Sequence, residues 1–321
     1  MSGPISPIAE RWTMTAFGMD IAADLPLPGA TARRHDAGAP DLMIRRVARG
    51  DLEGLVDSPR YMRYLHSYEG CGYAMLEGED GDVLFHYRER ALFHLVPDRR
   101  VLRCAVSESG TAWQRVLLDT VLWTVSLLQG YELLHASAVA TAHGLVALVG
   151  PSGAGKTTLA IELMRRGGVL FADDIVALKL SGEEVVAHPG PPLMNVPGSV
   201  GPFSPDGWDV LAEVGDERWV AVRREAPDPQ PIRTVVFLAP GSTGAECVVV
   251  PATSVTTLPH MVTFTHLHDR RRQQFEVASG VAAGAAVVKL SRSPGDEPHA
   301  LLDLVCACLG ADRVAPTTRT G

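Results

Sequence analysis

Residues 135–160 read HASAVATAHGLVALVGPSGAGKTTLA, and the segment Gly150 to Thr157, GPSGAGKT, fits the pattern G-x-x-x-x-G-K-[ST]. The apolar run LVALVG enters this loop as a buried strand, and KTTLAIELMRRGG leaves it as a helix stopped by glycines. A strand, a glycine-rich loop and a helix in that order make this half of the chain an α/β domain. Gly150, Gly153 and Gly155 let the backbone turn tightly and approach phosphate oxygens, while successive N–H groups form an anion nest at a helix N-terminus. Lys156 reaches the β- and γ-phosphates as a mobile charge, and the Thr157 hydroxyl is a ligand for Mg2+. The candidate nucleotide contacts are Gly150, Pro151, Ser152, Gly153, Ala154, Gly155, Lys156, Thr157 and Thr158.

Downstream lies GGVLFADDIVALKL, an apolar strand in which Asp173 and Asp174 follow Lys156 by 17 and 18 residues. A strand alternates its faces, so two adjacent acids serve two partners. One of the two can address the metal while the other points toward an attacking hydroxyl. A hydrolytic enzyme commonly needs only the metal ligand and a residue that positions water, so the pair points to transfer onto an alcohol. Upstream, His135 stands 21 residues before Lys156 in YELLHASAV. That run and GLVALVG read as consecutive strands joined through TAHG, a hairpin that carries His135 toward the nucleotide.

The rest of the second half continues the α/β pattern. IRTVVFLA, CVVVPA and AAVVKLS read as strands and RRQQFEVASGVAA as a helix. SPGDEPHALLDLVCACLG reads as a closing helix, with Asp296 as cap, Pro298 in its first turn and Gly310 as its stop. Residues 1–110 are rich in short strands (DLMIRRV, GYAMLEG, DVLFHYRE, ALFHLV, VLRCAVS) and read as a small β-rich domain. TAWQRVLLDTVLWTVSLLQG, residues 111–130, is apolar all round and is expected as a buried connecting helix capped by Thr111. The α/β domain then spans 131–310, and 311–321 is a tail with little to bury.

The composition narrows the setting. A formal net charge of −8 argues against nucleic acid as the main partner. The five cysteines are odd in number and irregularly spaced, which suits a reducing compartment. The N-terminus lacks a basic start followed by an apolar run, and Val116 to Leu128 is too short and interrupted to span a bilayer, so the expected setting is cytoplasmic, without membrane.

Taken together, LLHASAV, GPSGAGKTTLAIELMRRGG and FADD resemble the catalytic domain of the HPr kinase/phosphorylase family in both motif and separation. The dense likeness covers roughly residues 133–178. It implies a P-loop kinase domain related to the phosphoenolpyruvate carboxykinase fold, with ATP and Mg2+ required for serine phosphorylation. By position, Asp174 resembles the base that takes the serine proton, Asp173 its metal-side neighbour, and His135 the histidine beside phosphates and acceptor. The family's segment after the Asp pair, which supports the reverse phosphorolysis, is replaced by VVAHPGPPLMNVPGSVGPFSPDGWD. FGMDIAADLPLPG with LLHASAV is instead similar to HPr-kinase-like proteins of ribosomally made, modified peptides, including lasso peptides. The resemblance therefore implies a peptide Ser/Thr kinase acting on a precursor peptide. A kinase of a small hydroxyl compound such as free serine, and a regulatory ATPase that transfers to nothing, are the rival readings. A homo-oligomer is left open. Further candidates are His188 before a proline-rich loop, Glu183 and Glu184 at a hairpin tip, and His266, His268 and Arg270 to Arg272 in THLHDRRR, one of whose arginines would suit a transferring phosphoryl group. No spacing rule selects which.

Overall fold

The computed structural model describes residues 11–33, 39–61, 63–68, 73–87, 91–106, 110–198, 200–201, 207–241, 244–251, 260–262, 270–293 and 295–310. The chain divides into two compact units, 1–129 with 264–266, and 130–263 with 267–321. The helical segment after residue 111 is thus counted with the first unit, where the sequence suggested a separate connector.

The first unit is built on one sheet of nine strands. They are β1 (Arg11–Ala16), β2 (Met19–Ala23), β3 (Thr31–Arg33), β4 (Leu42–Arg46), β5 (Arg63–Tyr68), β6 (Tyr73–Glu77), β7 (Val83–Tyr87), β8 (Ala91–Leu95) and β9 (Val101–Val106), in the order β3-β1-β2-β4-β9-β8-β7-β6-β5. A short helix, α1 (Gly50–Val56), packs Leu52 against Leu92 and Ala105. The segment after Thr111 forms α2 (Ala112–Val116), one π-helical turn (Leu117–Val121) and α3 (Leu122–Leu128). Thr111 stands at its N-cap position without a side-chain capping bond. Ser126 fixes this segment to the β1–β2 turn by donating to the Phe17 carbonyl at 2.7 Å. The Asp82 carboxylate is buried and accepts from Tyr61 and Arg60, with His94 Nε2 2.7 Å away.

The second unit contains β10 (Glu132–Thr141), β11 (Gly144–Val149), α4 (Lys156–Arg165), β12 (Val169–Ala172), β13 (Ile175–Ser181), β14 (Glu184–His188), β15 (Leu193–Pro197), β16 (Trp208–Val214), β17 (Glu217–Val222), β18 (Ile232–Pro240), β19 (Glu246–Val249), α5 (Arg271–Gly284), β20 (Ala286–Arg292) and α6 (Pro298–Leu309). Its main sheet runs β14-β13-β10-β11-β18-β20-β19, with β12 also on β10. β11, β18 and β20 are mutually parallel, so their C-terminal ends lie at one edge. β15, β17 and β16 form a separate three-stranded meander. Val146 and Leu148 of β11 face one core with α4, α6 and the meander, whereas Leu145, Ala147 and Val149 face a second core with α5. This alternation is what lets a single apolar strand support layers on both faces.

Two expectations need correction. VLFADDIVALKL is not one unbroken strand but two, β12 and β13, interrupted at the Asp pair. Asp296 does not cap α6; its Oδ2 accepts from the Ser293 N–H at 2.6 Å, and Glu297 takes the cap position without a side-chain bond. Among the described residues no helix is long and apolar enough to cross a membrane.

Candidate active site

The loop after β11 is shaped by two glycines for different reasons. A β-carbon on Gly150 would lie 2.9 Å from the Leu238 carbonyl oxygen of β18, so only glycine allows this approach. Gly155 has φ +95°, the left-handed region, and leads directly into α4. Lys156 is 6% exposed, and its Nζ donates to the Gly150 carbonyl at 3.0 Å and the Pro151 carbonyl at 3.3 Å. Burial lowers its pKa, and Asp174 and Asp173 oppose that shift. Pro151, Ser152 and Gly153 are exposed on the loop, with Ala154, Gly155, Thr157 and Thr158 half-buried behind them.

The Asp pair sits where the β12–β13 run kinks. Ala172 faces Ala138 and Ile175 faces His135, so β12 and β13 flank the kink along the same strand, β10, with the β12 ladder shifting register between Ala138 and Val139. Asp174 adopts φ +61°, and its carbonyl accepts from the Ala136 N–H at 3.0 Å. Asp173 turns inward. Its Oδ1 accepts from Ser137 Oγ at 2.7 Å and from Thr157 Oγ1 at 3.4 Å, and its Oδ2 accepts from the Asn195 N–H at 3.1 Å. Strand β10, helix α4 and strand β15 thereby meet on one carboxylate. Asp174 is exposed and acts electrostatically on both Lys156 and His135. The His135 pKa is lowered by burial and then by the Lys156 charge, and Asp174 opposes both. The shift favours the neutral ring.

The structure adds groups that the motifs did not name. The segment 260–262 runs antiparallel beside β10: Met261 bridges Leu134, and the Val262 N–H donates to the Leu133 carbonyl at 2.8 Å. His260 is thus set opposite His135. Its ring lies 5.2 Å from that of Phe237, and its pKa is lowered by burial, then by His135 and Lys156. Ser137 was within reach of sequence reasoning, because it lies two residues after His135 and so shares its face of the strand. His260 lies 104 residues after Lys156 and carries no spacing signal. Beneath the kink, Arg224 Nη2 donates to the Gly190 carbonyl at 3.0 Å and to that of Phe171, two residues before Asp173, at 3.5 Å. Burial lowers its pKa to about 10.

The remaining candidates are placed elsewhere. His188 stands edge-on to Tyr131, with ring centroids 5.2 Å apart. Glu183 lies in the turn before β14, and Glu184 pairs with Arg233 at 3.4 Å. Arg270 binds the buried Glu132 at 2.7 Å, and Arg272 pairs with Glu276 along α5 at 2.9 Å. Arg271 begins α5. His266 and His268 fall outside the described residues.

A magnesium ion suits the oxygen donors present. The Thr157 hydroxyl and Asp173 carboxylate converge from two elements, and hard cations of this kind take such oxygens together with phosphate and water. Among the described residues no group of three or more His, Cys, Asp or Glu side chains forms a dedicated cage.

No family model matches the chain. It is 25% identical over 186 residues to an HPr kinase/phosphorylase of Leptothrix cholodnii, covering 49% of this chain and 56% of that protein. It is 37% identical over 83 residues to an HPr kinase/phosphorylase of Nitrosomonas europaea, covering 23% of this chain and 25% of that protein. The chain thus spans about half or less of the curated relatives it matches. A solved Hpr(Ser) kinase/phosphatase from Coxiella burnetii superposes with a TM-score of 0.28 at 15% identity, over 55% of this chain and 94% of that one.

Proposed function

From the premise that the chain belongs to an HPr kinase-like family, we propose that it is an ATP- and Mg2+-dependent kinase that phosphorylates a Ser or Thr hydroxyl of a peptide. The acceptor in this reading is a ribosomally made precursor peptide of the lasso type. The observation that carries the transfer reading is the division of labour at the kink. Asp173 is held by Ser137, Thr157 and Asn195, while its neighbour Asp174 is exposed beside Lys156 and His135.

The loop amides and Lys156 hold the phosphates of ATP; the ammonium leaves the Gly150 and Pro151 carbonyls to do so. Thr157 and Asp173 hold the metal, which when bound offsets phosphate charge. Asp174 accepts the proton of the acceptor hydroxyl. The freed oxygen forms its bond to the γ-phosphorus as the bond from that phosphorus to the bridging oxygen breaks, and ADP leaves with the electron pair. Neutral His135 orients the acceptor or γ-phosphate by hydrogen bonding and carries no charge that would compete for the carboxylate.

The test pairs wild type with Asp174→Asn. Asparagine tolerates the left-handed backbone as aspartate does, so this variant isolates the carboxylate. Both proteins are given MgATP with serine-containing precursor peptides, HPr, free serine, or no acceptor, and added phosphate is read by mass spectrometry. Transfer is expected on the peptides, and Asp174→Asn is expected to slow it by about 100-fold or more while still binding nucleotide. Transfer to free serine alone would select the small-molecule reading, and ADP release without transfer to any acceptor would select the regulatory ATPase. An unimpaired Asp174→Asn enzyme would sink the assigned base.

A further inference from the structure

Arg292 is the last residue of β20, and β20 is the third of the parallel strands whose C-terminal ends share an edge with the loop. In open α/β sheets ligands bind at that edge. The backbone around Arg292 is pinned from both sides. Its carbonyl accepts from the Gly241 N–H at 2.6 Å, and the next residue, Ser293, donates its N–H to Asp296 at 2.6 Å. The guanidinium lies directly against Gly155, where a β-carbon would collide with Nη1 and sit 3.1 Å from Cζ. Among the described residues no carboxylate pairs with it. A half-buried cation is therefore held, without an anion, beside the glycine that opens the anion nest. Arg270 and Arg272, by contrast, are both taken up by glutamates.

We propose that Arg292 is a nucleotide-phosphate ligand that reaches the loop from β20 and supplies a forked donor to the polyphosphate bound there. This rests on the reading of residues 150–157 as a nucleotide-phosphate loop and adds a residue that no motif includes. Arginine suits the task because its planar fork binds two phosphate oxygens at once, which the Lys156 point charge does not.

Calorimetric titration of wild type, Arg292→Ala, Arg292→Lys and Lys156→Ala with MgATP and with inorganic pyrophosphate tests it. Arg292→Ala is expected to weaken both ligands by a similar factor, about 10- to 100-fold, the loss of one charge-assisted phosphate contact. Arg292→Lys is expected to recover part of the loss, and it decides the matter should the alanine variant fail to fold. Wild-type affinity for pyrophosphate in both Arg292 variants would overturn the proposal, as would weaker MgATP with unchanged pyrophosphate, which would place the side chain on the base or ribose. Failure of the loop reading looks different: wild type itself would bind neither ligand, or Lys156→Ala would bind both as wild type does.

Discussion

Asp174 has a backbone that an L-residue adopts at a cost, φ +61°. Aspartate pays less than most residues because its short side chain bonds locally, yet glycine would pay least. The position therefore trades some stability for a carboxylate aimed outward. Asp174→Gly is expected to lose transfer yet match or exceed wild type in thermal midpoint. Asp174→Ala, which keeps the strain and loses the local bonding, is expected to fall below Asp174→Gly by about 1 kcal/mol in urea unfolding. Equal stability of the two variants would remove strain from the account. At this scale the sequence named Lys156, Thr157, Asp173, Asp174 and His135, because motif spacing governs residues on one strand–loop–helix run. It did not name His260 or Arg292, which strand pairing brings in from more than a hundred residues away.

At the scale of elements, β12 and β13 act as one strand with a designed break, both registered on β10. Periodicity reads the apolar residues on each side and does not see the break, since a single left-handed residue leaves no mark in hydrophobicity. Proline content misled in a similar way directly after His188. Pro197 ends β15, and the Pro192 carbonyl accepts from the Val222 N–H at 2.8 Å, so prolines frame a meander where a loop was expected. Arg224 ties the end of β12 to Gly190, just before that meander. Arg224→Ala removes the side-chain donor to the Gly190 carbonyl, while the Phe171 carbonyl keeps the Gly190 N–H at 2.9 Å, and is expected to cost about 1–3 kcal/mol in denaturant unfolding. Because Phe171 leads into the Asp pair, the same change is expected to lower the transfer rate. A variant of unchanged stability and rate would show that Arg224 does not hold the kink.

Across the whole molecule, α/β character in the second half and β-rich character in the first were legible, because buried parallel strands and short alternating strands differ in pattern. The π-helical turn and the boundary at Gly130 were not, since neither follows from local propensity. The second unit carries three histidines, His135, His188 and His260, whose pKa values burial lowers from 6.5. Below 6.5 the unfolded chain binds protons that the folded chain resists, so these groups destabilise the fold as pH falls through that value and cease to do so above it. Glu132, raised by burial from 4.5, acts in the opposite sense just above 4.5. With three groups against one, the thermal midpoint is expected to fall between pH 6.5 and 5, and less steeply in His188→Gln. A midpoint that rises on acidification would overturn this.

The Asn195 bond to Asp173 has a further meaning for how such a chain diversifies. The donor is a main-chain N–H, which every residue except proline supplies. Selection is thus able to rewrite the Asn195 side chain, to anything but proline, while the support its main chain lends to the inner carboxylate is inherited unchanged.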